Sequence, residues 1–497
     1  MHLPIKCNSF ASLNVRIHEG IVSGTRTMSR NGREIYAFYG IPYAEPPVGE
    51  LRFRSPVPKA PWHGVYRAHK PSVSCIQLQG TDIPQDEDCL FLNVYTPQPL
   101  LPVMVFIYGG SFLNGTSSPA VYGSNYLLDG NVILVTMNYR VGIFGFLSTE
   151  DEAAPGNYGL KDQLLALQWV NRNIKAFGGD PSRVTLLGQS AGSMSVQLHT
   201  LSDKSTKYFH QYILHSGLAV IIWSFHPNVP HRARVERLAR AYNCSTATSA
   251  TMVNCLRTVD TYQINNNTWV FDDSLQMFGV TWGPTIEPEA EDAFLTEDAL
   301  TIMNTRKTVD MPVITGNIIE EGLLITIDLY TNDKLYETYA DNIVHIMEQA
   351  MMTFMPVKPK NVTDVAKKMK EFYLGVEMPQ AKNDVKLFSN KALSLILYIN
   401  LTFLYPQVQW LQYMVRNKEM PLYVYIWKYL GTLHLSLKAG KQDPKIAGHS
   451  DELFYLFPMS GPALGLPDVK RMPSSEYSIL QKRMDFWHEN VPSYFKK

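Results

Sequence analysis

The stretch "LLGQSAGSM", residues 186–194, carries the pattern Gly-x-Ser-x-Gly over Gly188, Gln189, Ser190, Ala191 and Gly192. With 31 glycines in 497 residues, a match of this kind arises by chance often enough that its surroundings must decide its meaning. Upstream, "RVTLL" (183–187) is a short β-branched and leucine run, the signature of a buried strand. Downstream, "SAGSMSVQLHTL" (190–201) continues as a helix with small residues at its start. Strand, glycine turn and helix together form an elbow that lifts a serine hydroxyl above a sheet edge. Gly188 and Gly192 suit it because a side chain at either position would meet neighbouring backbone. A structural glycine turn in an α/β fold remains the alternative on this evidence.

Composition permits such a fold. Hydrophobic residues make up 45% of the chain and charged residues 18%, enough to bury a large core. Lys plus Arg and Asp plus Glu both number 45, so the net charge is zero. That balance removes the usual argument for nucleic acid or an anionic membrane surface as partner. The longest apolar stretch, "ALSLILYINLTFLY" (392–405), falls short of the ~20 residues that span a bilayer and contains Asn400, so it reads as a buried or pocket-lining helix rather than a transmembrane segment.

Neither repeats nor a Gly/Ser linker divides the chain, which reads as one domain over residues 1–497. Apolar runs set its organisation: "VMVFI" (103–107), "VILVTM" (132–137), "RVTLL", "YIL" (212–214), "PVIT" (312–315) and "LYVYIW" (422–427). Helical patterns lie between several of them. The clearest is "YGLKDQLLALQWVNRNIKAF" (158–177), with Leu160, Leu164, Leu167, Val170 and Ile174 at helical spacing. Alternation of this kind predicts an α/β fold, a large, mostly parallel central sheet covered by helices on both faces. Chemistry in such sheets collects at the carboxyl ends of strands.

The loop after "VMVFI" is "YGGSF" (108–112), whose consecutive glycines can present backbone N–H groups as an oxyanion hole, or form a plain turn. A serine nucleophile needs a base, and the base an orienting acid, in the chain order Ser, Asp or Glu, His. "GNIIEEGLL" (316–324) places Glu320 and Glu321 just past a strand end. "AGHSDELFYLF" (447–457) offers His449, and "LGTLHLSL" (430–437) offers His434. Spacing alone leaves both choices open. Metal and cofactor signatures are missing: there is no H-E-x-x-H, no paired C-x-x-C and no G-x-G-x-x-G after a strand.

Beyond these elements the chain resembles the type-B carboxylesterase/cholinesterase family of α/β-hydrolases. The resemblance rests on "YAFYGIPYAEPPVGELRFRSP" (36–56), "EDCLFLNVYTP" (87–97), "NYRVGIFGFL" (138–147), "GNYGLKDQLLALQWV" (156–170) and "FGGDPSRVTLLGQSAGS" (177–193), and it covers nearly the whole chain. It implies a serine hydrolase that cleaves carboxylic esters through an acyl-enzyme, with Ser190 as nucleophile, Glu321 rather than Glu320 as acid, and His449 as base. His434 then looks like a supporting residue. The resemblance places the oxyanion donors at Gly110, Ser111 and Ala191, with Ser111 standing where the family usually has a third glycine. It implies disulfides Cys75–Cys89 and Cys244–Cys255, leaves Cys7 free, and implies no metal or organic cofactor and a small apolar ester as substrate.

Paired cysteines favour an oxidising compartment, the extracellular or secretory route. The sequons at Asn243, Asn266, Asn361 and Asn400 agree in kind, while Asn114 lies beside the glycine loop. The N-terminus shows no apolar signal region, and the C-terminus stops early for the family, so the sequence reads as incomplete at both ends. The cysteine loop "CIQLQGTDIPQDEDC" (75–89) contains no tryptophan, which disfavours choline esters, held in cholinesterases by a cation–π contact. The presence of all triad residues disfavours a non-catalytic, neuroligin-like binding role. Gln189, where many members carry Glu, resembles the insect juvenile hormone esterase subgroup, although Ile446 stands where that subgroup tends to have glycine. "WVF" (269–271) and the stretch 392–405 are candidates to line a long acyl tunnel.

Overall fold

The computed structural model of the chain describes residues 13–78, 83–97, 100–220, 231–266, 282–305, 308–318, 321–322, 333–354, 360–374, 403, 405–429, 431, 434 and 447–459. The apolar runs become the strands of one nine-stranded sheet. In chain order these are β1 (Thr25–Met28), β2 (Glu34–Pro42), β3 (Phe91–Thr96), β4 (Leu101–Ile107), β5 (Ile133–Met137), β6 (Gly179–Gln189), β7 (Gln211–His215), β8 (Val313–Ile318) and β9 (Leu422–Trp427). Their order across the sheet is β9-β8-β7-β6-β4-β5-β3-β2-β1. Strands β4 to β9 run parallel to one another, and β1, β2 and β3 pair antiparallel at one edge.

This order places the site. From β4 the chain moves to β5 on one side, then crosses to β6 on the other side of β4. The loops leaving β4 and β6 therefore diverge and open a crevice at the carboxyl edge, where open α/β sheets bind ligands. One of those loops is Tyr108–Phe112, and the other is the elbow at Ser190.

Two helices pack against the sheet near this crevice. Helix α1 (Tyr158–Asn173) tightens into a 3₁₀ turn over Ile174–Phe177, so the predicted helix keeps its length but ends in a closer winding. Leu160, Leu164, Leu167, Val170 and Ile174 are all buried, as their spacing requires. Its polar side is buried too. Asp162 accepts a forked pair from Arg140, Nε–Oδ2 2.8 Å and Nη2–Oδ1 2.7 Å, and Lys161 Nζ lies 2.7 Å from Glu287 Oε2. Buried charges persist only when paired in this way. Helix α2 (Ala191–Leu201) is buried at every residue, against β6 and β7.

The strand ahead of the elbow begins earlier than "RVTLL". Gly179 already pairs with Leu101, and the register slips before Val184 pairs with Val103. Disulfides join Cys75 to Cys89 and Cys244 to Cys255. Cys7, Asn400, Ile446, Glu320, the segment 269–271 and most of 392–405 lie outside the described residues. Asn243, Asn266 and Asn361 are exposed. Asn114 is engaged with the glycine loop: its N–H donates to Gly110 O at 3.1 Å.

The Cys75–Cys89 bridge closes a loop with a sequence separation of 14. In the chain-entropy account its removal in Cys75→Ser/Cys89→Ser should cost about 3 kcal/mol. Equilibrium urea unfolding of the pair of proteins measures it; a loss below about 1 kcal/mol would mean that the reduced loop already holds its native course.

Candidate active site

Ser190 follows β6 and precedes α2, at φ 56° and ψ −125°. A positive φ on a non-glycine residue costs about 1–3 kcal/mol and is kept only where the surroundings impose it. Here they do. A Cβ on Gly192 would stand 2.1 Å from Ile107 O, and one on Gly109 would stand 2.5 Å from Gln189 O and 2.8 Å from Ser190 Cβ. Only bare α-carbons let the end of β4, the elbow and the first turn of α2 close on one another. The Ser190 N–H donates to His215 O at 2.8 Å, which fixes the turn to β7. Serines at helix N-caps commonly turn their hydroxyl back onto the helix. Ser190 makes no such bond, and among the described residues its Oγ has no hydrogen-bond partner.

The loop after β4 runs beside this hydroxyl. Gly110 has φ +123°, Ser111 φ 56° and Phe112 φ 61°, so three successive residues lie in left-handed backbone. Among the described residues the N–H groups of Gly110 and Ser111 donate to no acceptor, whereas Gly110 O takes the N–H groups of Leu113 and Asn114. The N–H of Ala191 is the first of α2 and precedes that helix's own ladder. The positive end of the helix dipole points the same way.

Glu321 and His449 meet across the carboxyl edge. His449 Nδ1 donates to Glu321 Oε2 at 2.6 Å, and both side chains are buried. The other oxygen, Oε1, accepts the N–H of Ile318, the last residue of β8, at 2.8 Å. Each carboxylate oxygen thus has a donor, which is what a charge in this setting requires. The Phe403 ring lies 5.4 Å from the imidazole. His434 is buried as well, but it is not the histidine bonded to Glu321.

Three features escape a reading of the sequence. Gln189 Nε2 lies 3.1 Å from His449 Nε2 and donates to Ser450 Oγ at 2.6 Å. Beneath the site, Gln189, His215, Gly316 and Tyr425 occupy one row across β6 to β9. A Cβ on Gly316 would stand 2.4 Å from the Tyr425 ring. The bare glycine thus lets that ring pass over β8, and its hydroxyl bonds His215 Nδ1. Burial draws the His215 pKa down to about 4. The third feature is Glu452, whose two carboxyl oxygens are buried and, among the described residues, without a side-chain hydrogen-bond partner. Burial, then the nearby Glu321 carboxylate, push its pKa well above the ordinary carboxylate range. Only a glycine at position 316 or an acid close behind His449 hinted at these features, and neither is diagnostic alone.

A model of the carboxylesterase family matches residues 11–492. The chain belongs to the carboxylesterase family. It is a carboxylic ester hydrolase with the α/β-hydrolase fold. Among curated relatives it is 36% identical to "Juvenile hormone esterase" of Tribolium castaneum over 469 residues, covering 89% of this chain and 78% of that protein. It is 34% identical to "Esterase FE4" of Myzus persicae over 479 residues, covering 92% and 81%. Among solved structures it resembles the crystal structure of juvenile hormone esterase from Manduca sexta with OTFP covalently attached. The TM-score is 0.78 at 25% identity, over 90% of this chain and 83% of that one.

Glu452 gives the family fold here a pH-dependent cost. A carboxyl whose folded pKa exceeds its unfolded value, about 4.3 for Glu, binds its proton more tightly in the native state. That contribution is complete below the unfolded pKa and is lost as pH rises through the folded one. Glu452→Gln keeps the shape and stays neutral. It should therefore melt with the parent near about pH 4 and above the parent in mildly alkaline buffer. Thermal midpoints at the two pH values check this; parallel pH slopes would show that Glu452 ionises freely.

Proposed function

We propose that Ser190 is the nucleophile, His449 the general base and Glu321 the acid that orients it, with the N–H groups of Gly110, Ser111 and Ala191 as oxyanion donors. The observation that carries this reading is the 2.6 Å bond from His449 Nδ1 to Glu321 Oε2, made beside a serine whose hydroxyl is left unused. With the proton on Nδ1 held by Glu321, Nε2 is the basic nitrogen. It removes the Ser190 proton as Oγ attacks the ester carbonyl carbon. The carbonyl electron pair moves onto oxygen, where the three N–H groups and the N-terminus of α2 stabilise it. Collapse expels the alcohol, which takes its proton from His449. Water then attacks the acyl-enzyme by the same route, returning the proton to His449 and freeing Ser190. Catalytic hydrogen bonds are often incomplete before substrate is bound, so the unbonded Ser190 is compatible with this sequence of steps.

Ser190→Ala should reduce turnover by about 10⁵-fold or more and abolish labelling by a fluorophosphonate. Glu321→Gln, which leaves the imidazolium without a charged partner, should cost about 10⁴-fold in kcat. Glu320→Gln and His434→Gln should be mild by comparison. Near-wild-type hydrolysis by Ser190→Ala, or a Glu320 effect larger than that of Glu321, would refute the assignment.

A broad range of carboxylic esters is the primary substrate reading. A narrower one, hydrolysis of long terpenoid methyl esters, is favoured by Gln189 before the nucleophile and by the juvenile hormone esterases among the relatives in sequence and structure. Affinity for such an acyl chain would come from buried apolar area at ~25 cal/mol/Å². The two differ in kcat/KM for a juvenile-hormone-like methyl ester against naphthyl acetate. A terpenoid KM in the millimolar range, with ready cleavage of the aryl ester, would leave only the broad reading. The two disulfides support an oxidising, extracellular setting.

A further inference from the structure

We infer that Gln189 is a positioning residue for His449: its carboxamide holds the imidazole in the tautomer of a base and ties the His449–Ser450 segment to the elbow. The inference rests on the assignment of His449 as the base.

Gln189 is the last residue of β6 and is buried. A carboxamide nitrogen has two N–H groups and no lone pair to offer. Nε2 of Gln189 spends one on His449 Nε2 at 3.1 Å and the other on Ser450 Oγ at 2.6 Å. The imidazole nitrogen facing it must therefore be the acceptor, and the ring proton must sit on Nδ1. Glu321 Oε2 requires the same proton at the same place from the opposite side of the ring. Two neighbours, one at the end of β6 and one in the turn after β8, thus favour one tautomer, the one with a lone pair at Nε2.

The carboxamide is itself confined. The bare α-carbon of Gly109 lies over it, since a Cβ there would be 2.9 Å from Gln189 Oε1. Ser450 has φ 73°, a left-handed conformation that serine seldom adopts, and its hydroxyl is held by Gln189. Among the described residues, the charged and titratable groups near this contact include Glu321 after β8, Asp451 and Glu452 on the histidine's own segment, and His215 on β7, paired with Gln189; Tyr425 on β9 and Tyr122 are electrostatically coupled to Glu452. Asp451 accepts the Gly448 N–H, and His215 is bonded to Tyr425. Among the described residues Gln189 alone is hydrogen-bonded to His449 Nε2.

Nε2 has one lone pair, so Gln189 and Ser190 cannot both donate to it. In the resting enzyme the amide occupies the place of the hydroxyl. When Ser190 takes over, the Gln189–Ser450 bond remains and keeps the ring in register.

The test compares Gln189→Glu and Gln189→Met with the parent over a kcat/KM pH profile, with rates expressed per site titrated by a fluorophosphonate. A carboxylate at position 189 accepts instead of donating and favours the imidazolium, so the acid limb should move up by about 1 pH unit with little change in KM. Methionine keeps the reach and loses both N–H groups. It should lower kcat about 10-fold with KM and the acid limb unchanged. A parental acid limb in Gln189→Glu together with parental kcat in Gln189→Met overturns the inference. Failure of the underlying triad would appear elsewhere, as hydrolysis and labelling that survive Ser190→Ala.

Discussion

The closing of backbone on backbone around Ser190 is the constraint on which the site depends. The carbonyl of Ile107, at the end of β4, lies where a side chain on residue 192 would begin. The distance allows α2 to start immediately above the sheet and leaves the serine in a conformation that no local preference supports. The cost of that conformation is met by the large buried sheet behind it, whose inner strands are almost fully excluded from water. Strain at a reactive residue is maintained by a rigid scaffold rather than by the residue itself.

Electrostatics follow the same division. Away from the crevice, buried charge is matched with little remainder, as in Arg140 with Asp162 and Lys161 with Glu287. Near the crevice the matching is deliberately uneven. Glu321 is satisfied by His449 and a backbone N–H, while Glu452, a few residues beyond that histidine, has no side-chain donor among the described residues. Burial and the neighbouring Glu321 carboxylate both favour the protonated form of Glu452. Among the described residues Glu321 is the carboxylate bonded to the His449 imidazole.

Much of the architecture could be read from the chain because parallel strands covered on both faces are continuous apolar runs. "VMVFI", "VILVTM" and "RVTLL" needed no partner information to be recognised. The antiparallel edge was less legible. β2, "EIYAFYGIP", and β3, "FLNVYT", mix buried polar and aromatic residues, and Asn93 in β3 is buried by hydrogen bonds to Ser117 and Thr136 that lie far along the chain. Helix α1 was read from one apolar stripe, yet its charged face is buried because partners arrive from Arg140 and Glu287. The elbow was visible through its glycines. The choice between Glu320 and Glu321, and between His434 and His449, was not visible in spacing, because it is made by which side chains converge in space. Gln189 stood out in the motif only as a mark of subgroup resemblance; its contact with His449 emerges when the loop carrying that histidine folds against it.

Glu321 and His449 are separated by 128 positions, and Gln189 and His449 by 260. Glu321 and His449 are therefore supplied late, from distant parts of one polypeptide, while the elbow's own strand and helix are contiguous. On the proposed assignment, a ribosome that has made Ser190 has not yet made the residues that would activate it. On that assignment, esterase reactivity is a property of the finished fold rather than of the elbow alone.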